Sequence, residues 1–306
     1  MAKEISKNKI KISTGEKIFN VFNICFMIAM IFIMFYPMWH VVCASFSNPR
    51  LLAAHEGVLI IPKGWSLIAY DLMMENPMIL KGYGNTFFIL FFGLLVNMVM
   101  TCLAAYVLSR RKVMLNKPIT MMIVFTMYFG GGLIPTYLNI MELGLLDSLW
   151  SIIIPGAIST YNMIVLRTGF ASVPESLEES AKIDGASSLR ILWQIIIPLS
   201  KATIAVIALY YAVGHWNAWF NAMLYLSDRQ KFPLQLILRE ILINNDTTSM
   251  VGEGSMAGQG GAGEASFVSE TVKYAVIIVS TVPILCVYPF IQKYFTKGVM
   301  VGAVKG

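Results

Sequence analysis

No Asp, Glu, Lys or Arg interrupts the stretch from Ile18 to Ala44. A run of that length is too long for the apolar core of a signal peptide and has no convincing small-residue cleavage site. It is long enough for a helix to cross a bilayer, so it reads as a retained span with no processing. Comparable runs recur at about 85–108, 119–140, 150–170, 199–226 and 274–294. With 57% hydrophobic residues, 13% charged residues and a mean hydropathy of +0.68, the chain has more apolar surface than a water-soluble core can hide. The expected fold class is all-α: a polytopic membrane protein of six transmembrane helices, with the bilayer in place of a soluble core.

Charge orients the runs. Lys3, Lys7, Lys9, Lys11 and Lys17 make residues 1–17 a basic arm that stays in the cytoplasm, and Arg110, Arg111, Lys112 and Lys117 return the chain to that side. Residues 141–149 hold Glu142 and Asp147 and no basic residue, as an external turn should; Arg167 marks the next inner end. Residues 18–295 then form the six-span domain, and residues 296–306 a cytoplasmic tail, so both termini lie inside. The net charge of +6 follows from this topology, and no nucleic-acid partner is expected. Two external segments stand out. Residues 45–84 read as a loop with interfacial helices, and residues 227–273 as a second loop whose Gly-, Ser- and Ala-rich part, 247–265, is expected to be flexible. Trp39 and His40, near the outer end of the first run, suit the membrane interface.

Gly130, Gly131, Gly132 and Pro135 loosen the third run, where a kink or break is expected. Cys25, Cys43, Cys102 and Cys286 lack CxxC spacing and the three histidines are scattered, so neither a metal site nor a disulfide is predicted. No HExxH or GxSxG occurs, and no GxxxxGK[ST] phosphate loop, so the chain does not read as an enzyme and nucleotide must be handled elsewhere.

The loop 172–198 is polar yet lies between two spans. Ser172 and Glu175 fit a capping box with Pro174 in the first turn, Leu177 and Ala181 share one face, Glu178 and Lys182 pair on another, and Gly185 stops the helix. A second segment carries Leu189, Leu192, Trp193 and Ile196 at helical spacing until Pro198 interrupts it. Two short helices at a glycine corner make a knob fit for a socket on another protein.

The series Glu179-Ser180-Ala181, Gly185-Ala186 and Ile195-x-Ile197-Pro198 resembles the EAA loop of bacterial ABC importer permeases, with Ser180 for the motif's first alanine and Ile197 for its usual leucine. FGGGLIPTYL (129–138), GHWNAWFNAMLYL (214–226) and YPFIQKYFTKGVMVGAVKG (288–306) resemble the carbohydrate-importer branch, especially its complex-oligosaccharide subgroup. The resemblance implies a type I importer permease in the bacterial cytoplasmic membrane with a cytoplasmic coupling helix. Its implied partners are ABC ATPase subunits, a second permease subunit and an extracytoplasmic solute-binding protein. No cofactor is bound by this chain itself; ATP and Mg belong to the ATPase. Glu179, Ala181, Asp184, Gly185, Ala186 and Pro198 are the implied coupling residues.

For the solute pathway the fifth run is the richest in polar groups. Tyr210, Asn217 and Asn221 fall on one helical stripe and His215 and Trp219 on another, with Trp216 between them. Amides and aromatic faces suit a sugar's hydroxyls and ring C–H groups. The competing explanation is that these side chains hold the helix to a neighbour, and Asn97 on the second run meets the same objection. An importer for a peptide-like solute remains open. An ion-coupled secondary transporter fits less well, because the centres of the runs contain no Asp or Glu. A membrane scaffold without transport is the third alternative.

Overall fold

A computed structural model describes residues 13–110, 114–244 and 262–303. The first helix, α1 (Thr14–Ser45), starts where the Ser13 side chain accepts the Glu16 N–H, and it is followed by the short α2 (Pro49–Ala53) and by α3 (Ile68–Glu75). The long α4 (Pro77–Ser109) begins with Asn76 accepting the Met78 N–H at 2.9 Å and with Pro77 in a first turn that needs no N–H. Then come α5 (Asn116–Tyr128), α6 (Leu133–Glu142), α7 (Trp150–Ile153) and α8 (Thr160–Ala171). The polar loop 172–198 holds α9 (Glu175–Ile183), α10 (Ser188–Ile191), a π turn (Leu192–Ile196) and α11 (Ile197–Leu199). The chain ends with α12 (Lys201–Trp216), α13 (Trp219–Tyr225), a 3-10 turn (Arg229–Lys231), α14 (Leu234–Asn244) and α15 (Ala262–Ala303). Among the described residues there is no β-strand, only an isolated bridge between Ser47 and Trp65.

Contacts divide the chain into two compact units. One comprises Met1–Tyr70 with Gly261–Ile278, the other Asp71–Gly260 with Val279–Gly306. The first is organised around the end of α1: Cys43, Ala44 and Leu59 form a small core with Leu52 and Tyr274 against it. Phe46 stacks on Trp65 and Tyr70, and the Trp39 indole donates to the Ile60 carbonyl at 2.9 Å. Trp39 therefore anchors the loop that follows α1 as well as suiting an interface.

The second unit is built on α4. Its residues Cys102, Ala105, Tyr106 and Leu108 pack with Met163, Leu166 and Phe170 of α8, with Ile191, Leu192 and Ile196, and with Ile207 and Tyr211 of α12. Lipid is as apolar as these side chains, so helices associate there by close approach and hydrogen bonding. Close approach falls on three glycines: a Cβ on Gly82 would lie 2.6 Å from the Ile237 side chain, one on Gly93 2.5 Å from the His215 ring, and one on Gly169 2.9 Å from Thr203.

The apolar runs are less regular than their hydropathy. Three helices are long and apolar enough to cross a bilayer (α1, α4 and residues 267–287 of α15), and two bent pairs pass the same test together. The pair α5 and α6 turns through 111° at the glycine break, where Gly132 has φ +91°; the pair made by residues 188–199 and α12 turns through 90°. These are five candidate spans among the described residues, where six were expected. The fourth run is the one missing: it is not one helix, because Pro155 and Gly156 leave residues 154–159 unwound between α7 and α8.

Backbone freed inside a membrane must find partners. Here Asn97 Nδ2 donates to the carbonyls of Gly156 (2.6 Å) and Ala157 (3.0 Å), while the Tyr211 hydroxyl, paired with Thr101, accepts the Ser159 N–H at 2.9 Å. The fully buried Asn97 accordingly splints an unwound span. The basic arm up to residue 12, residues 111–113, residues 245–261, which hold most of the 247–265 stretch expected to be flexible, and residues 304–306 lie outside the described residues.

Candidate functional site

The coupling knob is built from its caps. Its helix α9 starts at Glu175 behind Pro174, with no side-chain cap. Ser172 donates instead to the Gly169 carbonyl at 2.7 Å, because the preceding α8 runs to Ala171 and takes that hydroxyl for its own last turn, so the expected capping box does not form. At the other end Gly185 N–H reaches the Lys182 carbonyl (3.0 Å) and Ala186 N–H the Ala181 carbonyl (2.9 Å), with Gly185 at φ +80°. That pair of bonds is a Schellman motif, in which the residue after the glycine packs against the residue three from the helix end. Ala181 and Ala186 are those two residues, and both pack against the main core. The spacing Ala181-x-x-x-Gly185-Ala186 is thus the spacing of a helix stop folded onto the bundle. Asp184 caps α9 on the exposed side.

The second helix of the knob is capped by Ser187, a residue the sequence reading passed over, which accepts the Arg190 N–H. Pro198 does not end this helix where it was expected to. A π turn precedes it, in which Ile197 N–H bonds the Leu192 carbonyl five residues back, and the chain bends only at Ser200. The wider turn accommodates a residue with no N–H to offer. Of the four residues at helical spacing, Leu192 and Ile196 are buried, whereas Leu189 and Trp193 point outward together with Ile183, which is 86% exposed. Glu179 also lies on the exposed face.

Its neighbour Glu178 turns the other way. One carboxylate oxygen sits 2.7 Å from Arg110 at the end of α4; the other sits 2.8 Å from Lys182 and accepts the Tyr106 hydroxyl at 3.3 Å. The Glu178 side chain is 7% exposed and that of Arg110 13%, and the guanidinium lies 5.0 Å over the Tyr106 ring. Arg167 donates to the Leu108 carbonyl at 2.7 Å, tying the same end of α4 to α8. The pairing of Glu178 with Lys182 is visible as an i,i+4 pattern; its burial against Arg110 carries no local signal.

The pathway candidates do not share a stripe, because α12 stops at Trp216 and the helix restarts at Trp219. Asn217 closes its own helix by donating to the Val213 carbonyl at 3.0 Å. His215 bonds Asn97 Oδ1 at 2.6 Å through Nε2, and Trp216 is buried, donating to Ser280 and touching Tyr83 and Phe87. These three serve packing and hydrogen bonding within the bundle. Tyr210 stands beside Tyr161 and Asn221 is exposed, whereas Trp219 lies under the Arg239 guanidinium at 4.3 Å.

Away from the knob, Asp147 does more than mark a turn. Its carboxylate accepts the Ser227 and Asp228 N–H groups (3.1 and 2.9 Å) and pairs with Lys231 at 2.7 Å. The Lys231 hydrogen bond, joined by the two backbone donors, holds the Asp147 carboxyl down at about 2 from its ordinary 3.8. A depressed carboxylate pKa stabilises the fold above the unfolded value, and that contribution is lost as pH falls through the folded one. Between pH 4 and 2 the thermal midpoint of the purified protein should therefore fall faster than that of Asp147→Asn; parallel curves would remove Asp147 from the cause.

Among the described residues no group of three or more His, Cys, Asp or Glu side chains is placed to hold a metal ion. Residues 113–301 match the family model described as the binding-protein-dependent transport system inner membrane component. The chain is 42% identical over 291 residues to the polygalacturonan/rhamnogalacturonan transport system permease protein YtcP of Bacillus subtilis, an alignment spanning 95% of this chain and 99% of that protein. Protein LplC of the same organism is 40% identical over 290 residues, spanning 95% and 96%. A chain in the crystal structure of a bacterial ABC transporter involved in the import of the acidic polysaccharide alginate superposes with a TM-score of 0.84 at 32% identity, covering 94% of this chain and all of that one.

Proposed function

Because the chain belongs to the family of inner membrane components of binding-protein-dependent transport systems, we propose that it is the permease subunit of an ATP-driven importer for oligosaccharides whose sugar units carry carboxylates. It is a multi-pass protein of the cytoplasmic membrane and a transport subunit, not an enzyme. It works with ATPase subunits, a second permease subunit and a solute-binding protein. The acidic substrate is suggested by the relatives: one is named for polygalacturonan, a polymer of a sugar acid, and the structural neighbour for an acidic polysaccharide.

One observation carries the coupling role. The knob turns Ile183, Leu189 and Trp193 outward while Ile191, Leu192 and Ile196 hold it to the bundle, leaving an apolar surface on a polar loop where a motor subunit can seat. Both termini and this knob face the cytoplasm in our reading, and ATP and Mg are used by the seated ATPase. Closing of the ATPase dimer moves two such knobs as levers, and the spans tilt from inward-open to outward-open because each state makes different contacts. Solute then meets the pathway from the outer side, delivered by the binding protein.

Reconstituted with its partners, the complex should show vanadate-sensitive uptake of a galacturonate trimer. Uptake insensitive to vanadate and driven by an imposed ion gradient would overturn the reading in favour of a secondary transporter.

A further inference from the structure

We propose that Arg239 and Trp219 form a subsite for a sugar ring bearing a carboxylate, the guanidinium taking the acid group and the indole the ring. The assignment rests on the reading of the chain as an importer of acidic oligosaccharides, and it starts from an imbalance of charge in one short segment.

Between Asp228 and Glu240 each cation but one has an anion among the described residues. Arg229 pairs with Glu240 at 2.8 Å, and Lys231 pairs with Asp147 at 2.7 Å, with Asp228 a further 3.7 Å away. Arg239, the immediate neighbour of Glu240, does not share that carboxylate. Its guanidinium lies over the Trp219 ring at 4.3 Å and one Nη sits 3.2 Å from the Met223 sulfur. A π face and a thioether are weak partners for a group with five N–H donors. The Arg239 side chain is partly exposed, so its remaining N–H groups stand where a ligand can reach them.

Stacking is the geometry that leaves a guanidinium's edge open. The plane is occupied by the indole and one Nη by the Met223 sulfur, which leaves the edge made by Nε and the other Nη without a hydrogen-bond partner among the described residues; two N–H groups on such an edge match a carboxylate with parallel hydrogen bonds. The indole in turn is braced edge-on by Phe220, with ring centroids 5.5 Å apart, and is itself half-exposed. A flat aromatic surface beside an open cation suits a uronate ring: C–H groups on the aromatic, carboxylate on the fork. A neutral sugar needs the first and not the second. Trp219 and Asn221 belong to α13, directly after α12, so the indole lies in the stretch already singled out for amides and aromatic faces, and Arg239 reaches it from α14.

The test uses the whole importer, reconstituted with its binding protein, and two probes: the galacturonate trimer and the same trimer with its carboxylates methyl-esterified. Loss of a charge-assisted bidentate contact should raise the uptake KM of Arg239→Gln for the acidic trimer about 10- to 100-fold. Uptake of the esterified trimer and basal ATPase activity should stay at the wild-type level. Arg239→Lys, which keeps the charge and loses the fork, should fall between them. An unchanged KM for the acidic trimer, or an equal loss for both probes, overturns the subsite and leaves the importer reading intact. Failure of the wild type to take up either trimer overturns the substrate reading itself. The binding protein is identical in every arm, so its own selectivity cancels in the comparison.

Discussion

Arg110→Ala is expected to destabilise the protein by about 3 kcal/mol, the low end of what breaking a buried ion pair costs. Glu178 would keep its bonds to Lys182 and Tyr106, but Lys182 is half exposed and the carboxylate is 7% exposed, so its main counter-ion inside the bundle would be gone. Glu178→Gln should cost at least as much, because it strands the guanidinium, whose Nε and second Nη have no hydrogen-bond partner among the described residues even with Glu178 in place. An uncompensated buried cation costs more than a lost hydrogen bond. Replacing both residues together by leucine should recover most of the loss, since a buried pair need not outperform an apolar one of similar volume. The consequence for transport follows from position: this pair is a direct polar tie between the coupling helix and the end of α4. The Arg110→Ala complex should therefore hydrolyse ATP with fewer solutes moved per turnover. Thermal unfolding of the three variants and the wild type, with uptake and ATPase rates measured on the same samples, tests both halves. A wild-type melting temperature for Arg110→Ala would show that the pair does not hold the knob.

The knob was legible in the sequence because its signals are local. A positive φ at Gly185, the Glu178–Lys182 pair and the break at Gly130–Gly132 each follow from a few neighbouring residues. What escaped is of two kinds. Hydropathy reports the kind of side chain and is silent on backbone continuity, so the 150–170 run stays apolar while Pro155 and Gly156 unwind it, and the Tyr210–Asn217–Asn221 stripe presumed a helix that Asn217 in fact closes. Long-range polar pairing leaves no local trace: Asn97 and Gly156 are 59 positions apart, Tyr106 and Glu178 are 72. In a bilayer these two failures are linked, since each unwound carbonyl obliges a distant side chain to supply a donor. For Asn97 the sequence favours glue over pathway, and its bonds to the carbonyls of Gly156 and Ala157 are those of glue.

Gly185→Trp is expected to abolish uptake while leaving the protein folded and inserted. A Cβ at Gly185 would meet no atom within 4 Å, so the new side chain leaves the backbone into open space. The backbone, at φ +80°, imposes about 1–2 kcal/mol on an ordinary L-residue, too little to unfold a packed bundle. The harm falls on the outer surface, where an indole would stand beside the exposed Ile183 and occupy the space into which an ATPase must press. Two controls separate strain from bulk. Gly185→Ala carries the strain with one methyl group, and Gly185→Asn relieves much of it because asparagine adopts the left-handed conformation at low cost. Uptake should then rank glycine, asparagine, alanine and last tryptophan, with the ATPase failing to copurify only with the tryptophan variant. Permease present in membranes at equal amounts makes the ranking a measure of docking. A tryptophan variant that retains its ATPase and transports at the glycine rate would mean that the motor seats elsewhere on the chain.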